Sequence, residues 1–129
     1  MKILVVDDDD TLSSMIARVI RKIGCEVKTC ANGQDALDLL CSSKFSLLFL
    51  DLIMPGMGGV QVLKELQHRG IEVATVVMSG NLSHSLKSQC IKYGAKRFVQ
   101  KPIEISDIES IIMGERFRDV KVDKLEDTF

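Results

Sequence analysis

Four consecutive aspartates, Asp7 to Asp10, follow the apolar run Ile3–Val6, and a fifth, Asp51, follows Leu47–Leu50. Carboxylates gathered at one place repel each other, and the two ordinary remedies are a raised pKa or a divalent cation with oxygen ligands. Magnesium suits such a set, because it takes a few carboxylates and keeps waters or phosphate oxygens at its other positions. Asp8 and Asp51 would then bind directly, with Asp7 acting through water. Ser79-Gly80 and Lys101-Pro102 follow two further apolar runs. A phosphoryl group approaching Asp51 would find its oxygens met by the cation, the Lys101 ammonium, the Ser79 hydroxyl and backbone N–H groups near Gly80. These residue types imply a phosphoryl-acceptor site.

The elements that must bring them together are legible in the periodicity. Ile3–Val6 reads as a first strand, and Leu12, Met15, Ile16, Val19, Ile20 and Ile23 as one face of a first helix ended by Gly24. Cys25 to Cys30 alternates apolar and charged residues like a half-exposed edge strand, and Asn32-Gly33 turns the chain into a second helix through Cys41. Leu47–Leu50 is apolar on both faces, as in a central parallel strand, and the glycine-rich stretch from Pro55 to Gly59 is a loop. Val60, Leu63 and Leu66 mark a third helix ending near Gly70, and Val73 to Met78 a fourth strand. Leu82, Leu86 and Cys90 mark a fourth helix, Arg97–Gln100 a fifth strand, and Ile108, Ile111 and Ile112 the buried stripe of a fifth helix. Strict alternation of strand and helix implies right-handed crossovers and an open doubly wound parallel sheet with helices on both faces. Ligands of such sheets sit beyond the carboxyl ends of the strands, which is where the polar residues fall.

Composition excludes other classes. The chain has 129 residues, 46% hydrophobic and 27% charged, which fits one globular domain. Its 17 Lys and Arg against 18 Asp and Glu leave a net charge of −1, with no excess to hold a phosphate backbone, so no nucleic-acid binding is expected of this chain. The apolar runs stop at aspartates, far short of a membrane span or a signal-peptide core, so the expected location is the cytoplasm. Cys25, Cys30, Cys41 and Cys90 form no CxxC pair and read as reduced, mostly buried thiols. His68 and His84 read as solvated helix residues, and Asp9 or Asp10 as the cap of the first helix.

In order and spacing, Val5-Val6-Asp7-Asp8, Leu50-Asp51-Leu52-Ile53-Met54-Pro55-Gly56, Ser79-Gly80 and Phe98-Val99-Gln100-Lys101-Pro102 resemble the receiver domain of two-component response regulators. The resemblance implies a flavodoxin-like sheet of order 2-1-3-4-5, with a domain over residues 1–113 and a charged tail over 114–129 that carries no recognisable output domain. It implies that Asp51 accepts a phosphoryl group from the phosphohistidine of a sensor histidine kinase or phosphotransfer protein. Asp7, Asp8, Asp51 and the Ile53 carbonyl would serve magnesium, while Lys101 and Ser79 hold the phosphate. Ser79 and Phe98 would act as the switch, altering the surface of helix four, strand five and helix five for a downstream effector or a homodimer. Such a chain promotes its own phosphorylation and dephosphorylation and is not a turnover enzyme. It departs from the family at Ile53, apolar where many members are polar, and at Phe98, which lacks the hydroxyl of the frequent tyrosine.

Two rival readings follow from the same residues. Asp7-Asp8-Asp9-Asp10-Thr11 also satisfies the DxDxT pattern of haloacid-dehalogenase-type phosphohydrolases, with Asp7 as nucleophile and Asp9 as acid. That class needs a further acidic pair beyond the lysine, whereas Asp107 and Glu109 fall in a helix, and it leaves Asp51 idle. A pseudo-receiver that binds partners without phosphorylation would not need the complete set of acceptor residues.

Overall fold

The computed structural model describes residues 1–115. Nine elements alternate from the first residues onward: β1 (Lys2–Val6), α1 (Asp10–Ile23), β2 (Glu26–Cys30), α2 (Gly33–Ser42), β3 (Leu47–Asp51), α3 (Gly59–His68), β4 (Ala74–Ser79), α4 (His84–Lys92) and β5 (Arg97–Gln100). A helix α5 follows over 105–115. The five strands are all parallel, in the order β2-β1-β3-β4-β5. This is the doubly wound, flavodoxin-like sheet expected from the sequence.

Because side chains alternate across a strand, each central strand feeds two cores. Leu4, Val6, Leu48, Leu50 and Val77 pack with α2 and α3 through Leu37, Leu40, Val62 and Leu63. Ile3, Val5, Leu47, Phe49, Val76 and Met78 pack on the other face against Ile16 and Ile20 of α1 and Ile108 and Ile112 of α5. β3 is buried at every position and β2, at the edge, is buried at none.

Several boundaries and faces differ from the sequence expectations. β4 begins at Ala74 and includes Ser79, so the serine is paired with Gln100 within the sheet. In α3 the buried face runs through Val62, Leu63 and Leu66, with Val60 only half-buried. In α4 only Cys90 is fully buried, and Leu82 precedes the helix, whose cap is Ser83. Cys41 is exposed and Cys30 half-buried, which corrects the expectation of mostly buried thiols; the Arg69 guanidinium donates to the Cys41 Sγ at 3.2 Å, linking α2 to α3. Helix α5 continues through Gly114 and Glu115, assigned above to the tail. The remainder of the tail lies outside the described residues.

The turn from β3 into α3 requires glycine. A Cβ on Gly59 would stand 2.5 Å from the Asp51 carbonyl oxygen and 2.8 Å from the Leu52 Cα, both rigid backbone atoms. A Cβ on Gly80 would meet nothing within 4 Å. Gly59→Ala should therefore cost about 1–3 kcal/mol through overpacking, whereas Gly80→Ala should stay within about 1 kcal/mol of the parent. Urea denaturation of the two variants measures the contrast.

Candidate functional site

The carboxyl ends of β1 and β3, adjacent in the sheet, deliver Asp7 and Asp51 to one point. Asp7 is held on three sides. Its N–H donates to the Cys30 carbonyl at 3.1 Å, its Oδ1 accepts from the Asp9 N–H at 2.9 Å, and its carbonyl accepts from the Ser13 hydroxyl at 3.2 Å. Asp9 caps α1, accepting from the Thr11 and Leu12 N–H groups through one oxygen. The cap thus fixes the loop that carries Asp7 and Asp8. That use of Asp9 also weakens the phosphohydrolase reading, in which it would be the acid.

Asp7 and Asp51 are only 1% and 4% exposed, and a single ammonium serves both. Lys101 Nζ lies 2.9 Å from Asp7 Oδ2 and 3.4 Å from Asp51 Oδ1. Among the described residues, the Lys101 ammonium is the one polar group placed against the buried Asp7 Oδ2. The Ile53 N–H donates weakly to Asp51 Oδ1 at 3.4 Å. Burial, and then the negative charge of Asp7, push the Asp51 carboxyl from the ordinary 3.8 up to about 6, against the opposing pull of Lys101 and the Ile53 N–H. Burial alone would lower the Lys101 pKa, but its bond to Asp7 and the charges of Asp51 and Asp7 outweigh this and raise it.

Oxygen atoms of Asp7, Asp8 and Asp51 lie within 4.8 Å of one another, with Asp8 exposed at the mouth. Two buried carboxylates that share one ammonium, and an open side, suit a hard divalent cation that keeps part of its water. The residues therefore fit magnesium.

Ser79 and Lys101 reach the same edge from β4 and its neighbour β5, and the Lys101 N–H donates to the Ser79 carbonyl at 2.8 Å. The Ser79 hydroxyl is buried and engaged locally, accepting from the Asn81 N–H at 3.2 Å. Phe98 lies further back on β5, half-buried against the Leu86 and Tyr93 side of the core, with Lys87 Nζ 6.0 Å from its ring centre. The Ile53 side chain projects into solvent, 71% exposed. His68 and His84 are exposed and stand on α3 and α4.

Two supporting residues were not singled out in the sequence. Gly59 presses on the Asp51 carbonyl, and its signal was the glycine pair closing the loop after the acceptor. Ser13 is buried in the apolar stripe of α1, and a small polar residue in such a stripe signals a bond to backbone.

The Asp51 pKa has a consequence for stability. Because the folded-state value lies above the unfolded one, the folded protein binds the proton more tightly. Its contribution is most favourable below about pH 3.8 and is lost as pH rises through about 6. Without divalent cations, Asp51→Asn should be more stable than the parent by about 1–2 kcal/mol at pH 7.5, after allowance for solvent screening, and the gap should close towards pH 4. Thermal or urea unfolding across that range measures it; a gap independent of pH would mean that Asp51 is not the strained carboxyl.

The family described as the response regulator receiver domain matches residues 3–113. Two-component response regulator 24 of Arabidopsis thaliana is 30% identical over 110 residues, covering 84% of this chain and 79% of its own length. A hybrid signal transduction histidine kinase L of Dictyostelium discoideum is 31% identical over 119 residues, which cover 86% of this chain and only 7% of that protein. Among solved structures, the receiver domain of Francisella response regulator 1452 aligns with a TM-score of 0.82 at 25% identity, over 89% of this chain and 96% of that one. The Vibrio cholerae chemotaxis protein CheY4 shares the fold, with a TM-score of 0.82 at 24% identity over 87% and 95% of the two chains. With the strand order and the strand-end residues described above, these matches make the chain a member of the response regulator receiver domain family.

Proposed function

We propose that the chain is a phosphorylation-operated signalling switch whose acceptor is Asp51. The observation that carries this reading is the buried Asp51 carboxylate, 3.4 Å from the Lys101 ammonium and grouped with Asp7 and Asp8 at the carboxyl edge of the sheet. A sensor histidine kinase or a phosphotransfer protein is the donor. With a pKa of about 6, Asp51 is ionised at neutral pH, and an oxygen of its carboxylate forms the bond to phosphorus. The phosphorus–nitrogen bond of the donor phosphohistidine breaks, and its electron pair returns to the imidazole. Asp7, Asp8, Asp51 and the Ile53 carbonyl would hold magnesium, which when bound would supply positive charge for the phosphoryl oxygens. Lys101 neutralises the oxygens on the other side.

The response follows from Ser79. Turning its hydroxyl towards the phosphoryl group exchanges a weak donation to the Asn81 carbonyl, at 3.4 Å, for a charge-assisted one. Phe98, half-buried on the adjacent strand, then turns inward and changes the surface of α4, β5 and α5. That surface is read by a downstream effector or by a second copy of the chain. The proposed acceptor, metal-holding and switch residues all fall within residues 1–113.

Labelling with acetyl phosphate tests the assignment. Magnesium-dependent label should appear on Asp51 by mass spectrometry and be absent from Asp51→Asn, while Asp8→Ala should need about tenfold more magnesium. Label on Asp7 instead would restore the phosphohydrolase reading.

Ile53 sets the lifetime of the phosphorylated state, because an exposed aliphatic group beside the acceptor gives an attacking water no hydrogen bond. Ile53→Asn should lose phosphate about tenfold faster, equivalent to about 1.4 kcal/mol in the barrier. Spontaneous dephosphorylation in magnesium without kinase measures it. Equal rates, or a slower variant, would remove Ile53 from this role.

A further inference from the structure

The turn from β2 into α2 touches the site from two sides, although it contributes none of the acceptor, metal-holding or switch residues proposed above. At its start, the Cys30 carbonyl accepts from the Asp7 N–H at 3.1 Å. At its end, Asn32 caps α2, its Oδ1 accepting from the Asp35 N–H and its Nδ2 donating to the Asp35 carboxylate, each at 2.9 Å. Gly33, buried, therefore opens a helix whose first turn is fixed. It faces the loop that joins β3 to α3. A Cβ on Gly33 would stand 2.7 Å from the Met57 carbonyl oxygen, 3.0 Å from the Met57 Cβ and 2.9 Å from the Val62 Cγ2. Real Cβ atoms do not make contacts that short, so any larger residue here must push the Met57 backbone away.

Such a push has a short route to the acceptor. Met57 is joined directly to the glycines that close the loop: a Cβ on Gly58 would lie 3.1 Å from the Leu52 carbonyl oxygen, and the Gly59 N–H donates to that oxygen at 3.0 Å. Leu52 shares its peptide group with Ile53, whose N–H donates to Asp51 Oδ1. Leu52 and Met54 are both buried, so the main chain of Ile53 is held between two anchored side chains. Magnesium demands near-ideal octahedral geometry at about 2.0–2.1 Å, and small displacements of a ligand oxygen therefore cost affinity. We propose that Gly33 is a positioning residue: by letting α2 close on Met57, it sets the place of the Ile53 carbonyl relative to Asp51, and through it the affinity for a divalent cation. This role rests on the reading of Asp51 and the Ile53 carbonyl as metal-holding groups.

Calorimetric titration of the full chain with magnesium chloride tests the role. Gly33→Ala should bind magnesium about tenfold more weakly than the parent. Asp38, exposed on the outer face of the same helix and bonded to Gln34, supplies the control: Asp38→Gly weakens α2 and should bind magnesium as the parent does. In the metal-free protein the Ile53 amide resonance should move in Gly33→Ala and stay in place in Asp38→Gly. Labelling with acetyl phosphate separates positioning from general damage, since the magnesium requirement of Gly33→Ala should rise about tenfold while its labelling rate at saturating magnesium stays within about twofold of the parent. Should circular dichroism show Gly33→Ala unfolded, Met57→Gly, which loosens the same contact from the loop side, carries the same expectations. Unchanged magnesium affinity in the folded variant, an unmoved Ile53 resonance, or an equal loss in Asp38→Gly would each overturn the role of Gly33. A parent that binds no magnesium overturns the metal-holding reading and this role with it, whereas a parent that binds magnesium but takes no label on Asp51 overturns the phosphorylation reading alone.

Discussion

Two carboxylates, buried side by side at the ends of neighbouring strands, share one ammonium, and the described site is arranged around that imbalance of charge. Asp7 and Asp51 cannot separate, because β1 and β3 are paired along their length and covered on both faces. The excess negative charge is met partly by protonation, which the raised Asp51 pKa expresses, and partly by affinity for added positive charge. The same tension would be eased by a divalent cation beside these carboxylates. The fold supplies the rigidity that keeps the tension from relaxing.

The acids, the serine and the lysine were legible because a doubly wound sheet places strand ends in one plane, and strand ends can be read from apolar runs that stop at polar residues. What stayed hidden depended on tertiary neighbours. Gly59 looks like any loop glycine until the Asp51 carbonyl is seen against it. Ser13 looks like a lapse in the stripe of α1 until its bond to Asp7 is known. Cys41 could not be recognised as exposed, since a thiol near the end of a helix has no pattern that distinguishes a core position from a contact with Arg69. In α4 the apolar spacing included Leu82, which precedes the helix, and Leu86, which is only half-buried; the helix buries little because it packs towards the edge of the sheet and not the middle.

The two cores divide the molecule functionally. On one face, α1 is tied to Asp7 through the Asp9 cap and Ser13. On the other, the Lys101 N–H to Ser79 carbonyl bond joins the residues contributed by β4 and β5. The proposed switch would therefore act on β5 through one short connection.

The position of β5 decides which half of the molecule yields. It has four residues, pairs on one side only and is exposed at both ends, whereas β3 has five, pairs on both sides and is wholly buried. Local opening begins where few contacts must be broken, so amide protons of β5 belong to a faster-exchanging unit than those of β1 and β3. Asp51 is anchored in the more protected unit, and Phe98 lies in a less protected one. Mild stress would accordingly loosen the surroundings of Phe98 before it disturbed those of Asp51.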